Sequence, residues 1–197
     1  YAENSKVFNT GSIITEDKTG TEESIGIYAK DSIVSNTGNI KIGQGATALV
    51  GDNSTININN GSIIDASMGS LVYGKNNSVI NYSAGNEVIT GKQSYINITD
   101  SILNFINPAT LTVADTGTGI FVTGNTGVTT GDLNLYLGNN AAGIYVKDLG
   151  TTYQNSAIIN ADGTESNGLI LENSSMLNIG TISANKEKSV GIFAHLT

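Results

Sequence analysis

Residues 26–31 read Gly-Ile-Tyr-Ala-Lys-Asp and residues 143–148 read Gly-Ile-Tyr-Val-Lys-Asp, two nearly identical hexapeptides that stand far apart in the chain. Both consist of a small residue, three apolar residues and a polar corner. Related copies of this pattern occupy residues 47–52, 70–75, 119–122, 168–173 and 191–194, which makes seven in all. Seven copies are too many for coincidence, and the chain is therefore built from repeated units.

A second motif sets the length of the unit. It is a short turn, mostly of Asn, Thr, Ser and Gly, that leads into an alternating strand. The turns centre on residues 11, 38, 61, 85, 108, 131, 155 and 180, at intervals of 23 to 27 residues. The apolar and turn positions repeat while the polar residues vary, so we expect units of about 24 residues to stack on one another.

The units contain short runs with period-two alternation, such as residues 55–59 and 132–137, which are typical of β-strands. At about 3.3 Å per residue, one unit traces roughly 80 Å, enough for one triangular coil of three strands. The sequence therefore predicts an all-β fold, a right-handed parallel β-helix of about eight coils. We expect residues 1–197 to form a single segment of a longer solenoid.

Two further observations refine this prediction. Asn60-Gly61 is a strong hairpin signal, but the turn recurs once per unit rather than once per strand pair, which disfavours antiparallel hairpins. The turn spacing also predicts one inward-pointing row of apolar side chains. Its members are Ile13, Ile40, Ile63, Leu133 and Ile182.

Composition excludes several classes of function. Seventeen acidic and nine basic residues give a net charge of −8, and all nine basic residues are lysines, which argues against a nucleic-acid partner. The absence of cysteine excludes disulfides and a thiol nucleophile. No apolar run approaches the ~18 residues of a membrane-spanning helix, so we predict no membrane span in these residues.

The hexapeptides at 26–31 and 143–148, the related Ser-Val-Gly-Ile-Phe-Ala at 189–194 and the associated Asn-Thr-Gly strands resemble the passenger regions of large type V autotransporter adhesins of fusobacteria. The resemblance covers essentially the whole chain. It implies a surface-displayed β-helical stalk in bacterial coaggregation or host attachment, on the extracellular side of the outer membrane. In the parent protein, it implies anchoring by an outer-membrane β-barrel.

Because many β-helices are polysaccharide lyases or glycosidases, an enzyme is one alternative, and an inert structural spacer is another. The closest acid cluster is Glu16 and Asp17 with residues 22–23. Asp31 and Asp52 are expected at matching corners of adjacent coils, near the carboxylate spacing that glycoside hydrolysis needs. We interpret them as solvated corner residues and predict no catalytic residues and no enzymatic activity.

Metal and cofactor sites are not predicted either. The sole histidine, His195, has no second histidine to complete a zinc site, and we interpret it as a surface residue. The Gly-rich residues 117–119 and 124–127 do not open a helix with a lysine, so they do not form a phosphate-binding loop.

The third position of the hexapeptide is the candidate for ligand binding, and its aromatic members are Tyr28, Phe121, Tyr145 and Phe193. The same column is expected to include Leu49, Val72 and Ile170. Strand alternation leaves two interpretations open: an exposed stripe that contacts a ligand, or an internal aromatic stack. For an acidic chain the expected partners are a host or bacterial surface protein or a neutral glycan, while anionic glycans are poor candidates.

Overall fold

The computed structural model describes residues 1–17, 20, 23–66, 68–83, 86–89, 94–129, 131 and 133–196. Over these residues it contains 25 strands, numbered here β1 to β25 in chain order, and no helix. Every strand pair is parallel, and each strand is paired with strands three positions away in the order. The chain therefore coils as a parallel β-solenoid of about seven turns, each of about 24 residues.

Three faces make up each turn, and face A is the longest stack, a nine-stranded sheet. Its strands are β1 (Ala2–Glu3), β4 (Ile25–Lys30), β7 (Thr47–Asp52), β10 (Ser70–Lys75), β13 (Ser94–Thr99), β16 (Thr118–Gly124), β19 (Ala142–Leu149), β22 (Asn167–Glu172) and β25 (Val190–His195).

Face B follows face A in each turn. Its strands are β2 (Lys6–Asn9), β5 (Ile33–Asn36), β8 (Thr55–Ile58), β11 (Val79–Tyr82), β14 (Ile102–Phe105), β17 (Gly127–Thr129), β20 (Thr152–Asn155) and β23 (Ser175–Asn178). Face C closes the turn. Its strands are β3 (Ser12–Ile14), β6 (Asn39–Lys41), β9 (Ile63–Asp65), β12 (Asn86–Ile89), β15 (Ala109–Val113), β18 (Leu133–Leu137), β21 (Ile158–Asn160) and β24 (Thr181–Ser183).

The structure confirms the parallel β-helix and the repeat length, while the right-handed sense stays a prediction. About seven turns are present rather than eight, because eight recurring sequence turns enclose only seven intervals. One of those turn positions, Gly85, lies outside the described residues. Along face A, equivalent residues are 22 to 27 positions apart, from Ile27 paired with Leu49 to Ala2 paired with Ala29.

The core between the three faces consists mainly of aliphatic side chains, and it also contains the buried rings of Tyr82, Tyr95, Phe105 and Tyr153. On face C the inward row runs Ile13–Ile40–Ile64 in one sheet and Leu111–Leu135–Ile159–Ile182 in the other. The register places Ile64 instead of the predicted Ile63 in this row. Leu133 is buried in the core as predicted, but it lies two residues before the row member Leu135. The cause is that the spacing from turn to strand varies: the turns at 38 and 61 are 23 residues apart, but Asn39 pairs with Ile63, 24 residues on.

The corner between faces A and B repeats an Asp or Asn followed by Ser. Asp31 and Asn53 adopt the left-handed backbone conformation, with φ of 48° and 49°, which Asp and Asn tolerate better than other side chains. The serine that follows is buried and joins neighbouring coils: Ser32 N–H donates to Ser54 Oγ at 3.0 Å, and Ser54 N–H donates to Ser78 Oγ at 3.0 Å. This serine column satisfies backbone groups that the sheets leave unpaired at the corner.

Asparagine side chains form a second ladder on the outside of face B. Asn81 Nδ2 donates to Asn57 Oδ1 at 2.9 Å, and Asn104 Nδ2 donates to Asn81 Oδ1 at 3.0 Å. The asparagine amides of three successive coils are thus joined in one chain of hydrogen bonds. Stacked amides of this kind hold parallel strands in register.

Candidate binding surface on face A

Side chains on face A alternate between the core and the outside. Ile27 and Ala29 are buried, and the ring of Tyr28 between them lies on the outer side of the sheet and is only partly covered. The register carries this position through eight strands of face A as one row, which we call the outer row. It consists of Tyr28, Val50, Tyr73, Asn97, Phe121, Tyr145, Ile170 and Phe193.

All four predicted aromatic residues therefore lie in one outward-facing row, and the internal-stack interpretation is wrong. The row is not one continuous aromatic stack. Phe121 and Tyr145 are in edge-on contact, with ring centroids 5.3 Å apart. Tyr28 lies four coils from Phe121, and Phe193, whose side chain is 48% exposed, is separated from Tyr145 by Ile170.

The predicted column was wrong at two positions. Leu49 pairs with Ile27 and Val72 pairs with Leu49 in the buried row, and Val50 and Tyr73 take their places in the outer row. The error arose from aligning the copies on their first small residue, which is not equivalent in every strand. Counting back three residues from the Asp/Asn-Ser corner gives Val50 correctly, but at the next coil the extra corner residue Asn76 shifts the count to Gly74. Tyr73 is the aromatic residue that the sequence reasoning missed.

One cluster surrounds the first aromatic ring of the row. The ring of Tyr1 stacks on that of Tyr28 at 5.5 Å, and the Tyr28 hydroxyl donates to Asp52 Oδ2 at 2.8 Å. Lys75 Nζ lies 3.2 Å from Asp52 Oδ2 and 5.6 Å from the centre of the Tyr28 ring. Hydrogen bonds, first from Asn76 and then from Tyr28, lower the pKa of Asp52. The ring of Tyr28 is thereby fixed on both its face and its hydroxyl.

A second cluster holds the Phe121–Tyr145 pair. The Tyr145 hydroxyl donates to Glu172 Oε2, and Lys147 Nζ lies 2.8 Å from Glu172 Oε1. The hydrogen bonds from Lys147 and Tyr145 lower the pKa of Glu172, and the same bond to Glu172 raises the pKa of Tyr145. This ring is also held in one orientation on the surface.

The charged partners of both clusters come from a row two residues further along each strand of face A. In order along the rod it contains Glu3, Lys30, Asp52, Lys75, Thr99, Thr123, Lys147, Glu172 and His195. The sign of the charge alternates towards both ends, and opposite charges on neighbouring strands attract each other. Two threonines interrupt the alternation, so the middle of face A carries no charge in this row.

The outer row has its only amide at the same place. Asn97 is paired with Tyr73 on one side and with Phe121 on the other. An open pocket of about 260 Å³ lies here between the two rings. Its lining consists of Thr47, Ser70, Tyr73, Asn97, Thr99 and Phe121.

Asp31 and Asp52, the carboxylate pair considered for hydrolysis, are neighbours on adjacent coils, and the backbone N–H of Asp31 donates to the Asp52 carbonyl at 3.0 Å. The register pairs Asp52 with Lys30 and places Asp31 one residue further on, where its Oδ1 accepts a hydrogen bond from Asn53 Nδ2 at 2.6 Å. A general acid needs a raised pKa, whereas the pKa of Asp52 is lowered. These two residues therefore give no support to the glycosidase alternative.

Of the remaining acidic candidates, one is hydrogen-bonded to a neighbouring coil and one is undescribed. Asp17 Oδ1 accepts a hydrogen bond from the backbone of Gln44 at 2.6 Å, and residue 22 lies outside the described residues. Among the residues with described positions, no three His, Cys, Asp or Glu side chains converge as metal ligands. His195 ends the charged row next to Glu172, and its ring centroid is 6.0 Å from that of Phe193.

No family model, curated protein or solved structure matches this chain. Within the part of the chain that the structure describes, no helix has the length and apolar character to cross a membrane.

Proposed function

We propose that this chain is a rod-shaped segment of a surface-displayed autotransporter adhesin that takes part in bacterial coaggregation or host attachment. It acts by binding and has no catalytic role. The observation that carries the proposal is the outer row of face A, which presents Tyr28, Tyr73, Phe121 and Tyr145 outward along one side of a parallel β-solenoid.

The fixed orientation of the rings favours a binder over an inert spacer. Aromatic rings provide large contact areas on proteins and on the apolar faces of sugars, and binding costs less when the rings are already immobilised. Tyr28 and Tyr145 are each immobilised by a hydroxyl–carboxylate hydrogen bond, and the carboxylate is in turn paired with a lysine. A surface that only separated two domains would have no need of such an arrangement.

The charge of the chain restricts the partner. A net charge of −8 repels anionic glycans and favours neutral glycans or basic protein surfaces. The extracellular side of the outer membrane is the location at which such partners are met.

Cell-binding and glycan-array assays on the purified rod test this proposal. We expect binding to neutral glycans or cells and weaker binding to sialylated or sulfated chains. The double substitution Phe121→Ser and Tyr145→Ser should weaken binding about tenfold or more, as loss of central aromatic contacts does. Tyr136→Ser on face C is the matched control, because Tyr136 is 46% exposed on another side of the rod, and it should leave binding unchanged.

Two results would contradict the proposal. A folded rod that binds no glycan, bacterium or host cell would act as a spacer. Release of reducing ends or unsaturated uronates from a polysaccharide panel would identify the chain as an enzyme.

A further inference from the structure

We infer that the pocket between Tyr73 and Phe121 is a binding site for a single neutral pyranose ring of a glycan. This inference rests on the proposed binding function and assigns it a ligand class and a place. The pocket lies over Asn97, halfway along face A.

The pocket owes its shape to Asn97, the small member of the outer row between two aromatic rings. Neighbouring strands of a sheet are about 4.8 Å apart, so Tyr73 and Phe121, two strands apart, are separated by nearly 10 Å along the rod. Asn97 is smaller than either ring and leaves a gap between them. The resulting volume of about 260 Å³ lies just below the range of about 300–1,000 Å³ typical of drug-sized ligands, and it suits one sugar ring.

The floor of the pocket is an ordered amide. Asn97 Nδ2 donates to the carbonyl oxygen of Ser94 at 3.0 Å and lies 3.5 Å from Ser70 Oγ. These contacts fix the orientation of the amide plane. Among the described residues nothing donates to Asn97 Oδ1, which leaves an acceptor for a ligand hydroxyl.

A pyranose has apolar C–H faces and a polar edge of hydroxyl groups, and the walls and rim of the pocket offer a partner for each. The rings of Tyr73 and Phe121 can contact the C–H faces of the sugar. The hydroxyls of Thr47 and Thr99, which make no side-chain hydrogen bond to another described residue, are available to sugar hydroxyls. A binding site with a few convergent polar groups and aromatic walls selects for a ligand with the same mixture.

The charges around the pocket exclude an ionic ligand as the preferred occupant. Thr99 and Thr123 occupy the charged row at this point. Lys75 on one side is paired with Asp52, and Lys147 on the other side is paired with Glu172. The lining of the pocket is therefore uncharged, and the nearest lysine on each side is already neutralised by a carboxylate. A carboxylate or ammonium group on a ligand would have no unpaired charge to bind here.

The test uses two-dimensional amide NMR of the whole chain titrated with four probes. They are methyl β-glucopyranoside, methyl β-galactopyranoside, methyl α-mannopyranoside and N-acetylglucosamine. We expect at least one of them to shift the side-chain amide signals of Asn97 in a saturable manner with a millimolar dissociation constant. N-acetylneuraminic acid, which carries a carboxylate, should bind at least about tenfold more weakly than that sugar.

Two substitutions provide a matched pair. Asn97→Tyr fills the gap with a third ring in the outer row and should weaken binding of the sugar by about tenfold or more. Asn134→Tyr makes the same change on the outer side of face C, where Asn134 pairs with Thr110 and Ile158, and should leave sugar binding unchanged. Thermal melting checks that both variants fold, and Tyr73→Ser, which removes one wall, provides an independent loss of binding if Asn97→Tyr does not fold.

The outcomes distinguish this inference from the proposed function. The inference is overturned if no probe shifts the Asn97 amide, or if Asn97→Tyr binds the sugar as the unsubstituted chain does. If the rod still adheres to cells through the outer row in that case, the proposed function stands without this pocket. Loss of all adhesion and all sugar binding in the unsubstituted chain would overturn both.

Discussion

Two rows of side chains run along face A on opposite sides of the same sheet. Their members are one residue apart in the sequence, and the two rows differ in composition and in burial. The inner row, represented by Ile27, Ile96, Ile120 and Ile144, is aliphatic and buried. The outer row changes from aromatic to aliphatic to amide and, apart from the buried Val50, is at least partly exposed. The inner row determines the shape of the rod, and this leaves the outer row free to vary and to carry binding residues.

The largest expected effect comes from comparing substitutions of two adjacent residues on one strand, Ile120 in the inner row and Phe121 in the outer row. Ile120 is 0% exposed, and Ile120→Ala should lower the free energy of unfolding by about 2–5 kcal/mol, because it removes apolar contacts and leaves a cavity. Phe121→Ala, which removes more atoms from the outer row, should lower it by only about 1 kcal/mol. Chemical denaturation followed by circular dichroism measures both, and equal losses would contradict the division into two rows.

The serine corner gives a second test, since its side chains are buried although polar. Ser78 Oγ accepts from the backbone N–H of Ser54 and donates to the carbonyl of Lys75 at 2.7 Å. Ser78→Ala leaves a buried N–H without its acceptor and should lower the free energy of unfolding by about 1–3 kcal/mol.

Ser35→Ala is the control for the corner, because Ser35 is partly exposed on the outside of face B. It should change stability by less than about 0.5 kcal/mol in the same denaturation measurement. If Ser78→Ala were equally harmless, the corner column would have no part in holding the coils together.

A smaller effect is expected at Tyr145. Tyr145→Ala should lower the free energy of unfolding by about 1 kcal/mol, the value for a partly exposed ring, rather than the roughly 3–5 kcal/mol of a core aromatic residue. Tyr145→Phe keeps the ring and removes only the hydroxyl that donates to Glu172. In this variant, NMR titration should show that the pKa of Glu172 rises towards its ordinary value, and an unchanged pKa would mean that the bond is not formed in solution.

The weakest expected effect is a dependence of stability on pH. The pKa of Glu172 is lowered in the folded chain from its ordinary value of 4.5, chiefly by Lys147, so the folded state favours the charged carboxylate. This contribution is complete above pH 4.5 and is lost as the pH falls through the lowered folded value. Melting temperatures measured from neutral to acid pH should fall less steeply for Glu172→Gln than for the unsubstituted chain, and identical slopes would contradict the assignment.

Much of the fold could be predicted from the sequence because every coil of a solenoid has a similar pattern of apolar and turn residues. Each coil contributes an independent copy of the same apolar pattern, so the period of about 24 residues was recoverable even though individual copies differ. The exact register was not, because the number of residues between turn and strand varies. This variation shifted the predicted row by one residue at Ile63 and by two at Leu133, although Leu133 does face the core.

The candidate surface was only partly predictable for a related physical reason. Whether Tyr28 and Tyr145 face inward or outward depends on which of two adjacent residues points to the core, and two successive apolar residues leave that undecided. The sequence also gave no direct sign of the pocket, because it forms where Asn97 falls between Tyr73 and Phe121. That juxtaposition joins residues 24 positions apart and appears only when the strands are aligned.

The hydrogen bonds between coils also determine how the rod would respond to tension. Because the strands run across the rod, these bonds lie along its axis, and a pull on the two ends loads one coil boundary at a time instead of shearing many strands together. Each detached coil of about 24 residues would release roughly 80 Å of extended chain. A tether built in this way would lengthen in even steps under load while the remaining coils, and the binding surface on them, stay folded.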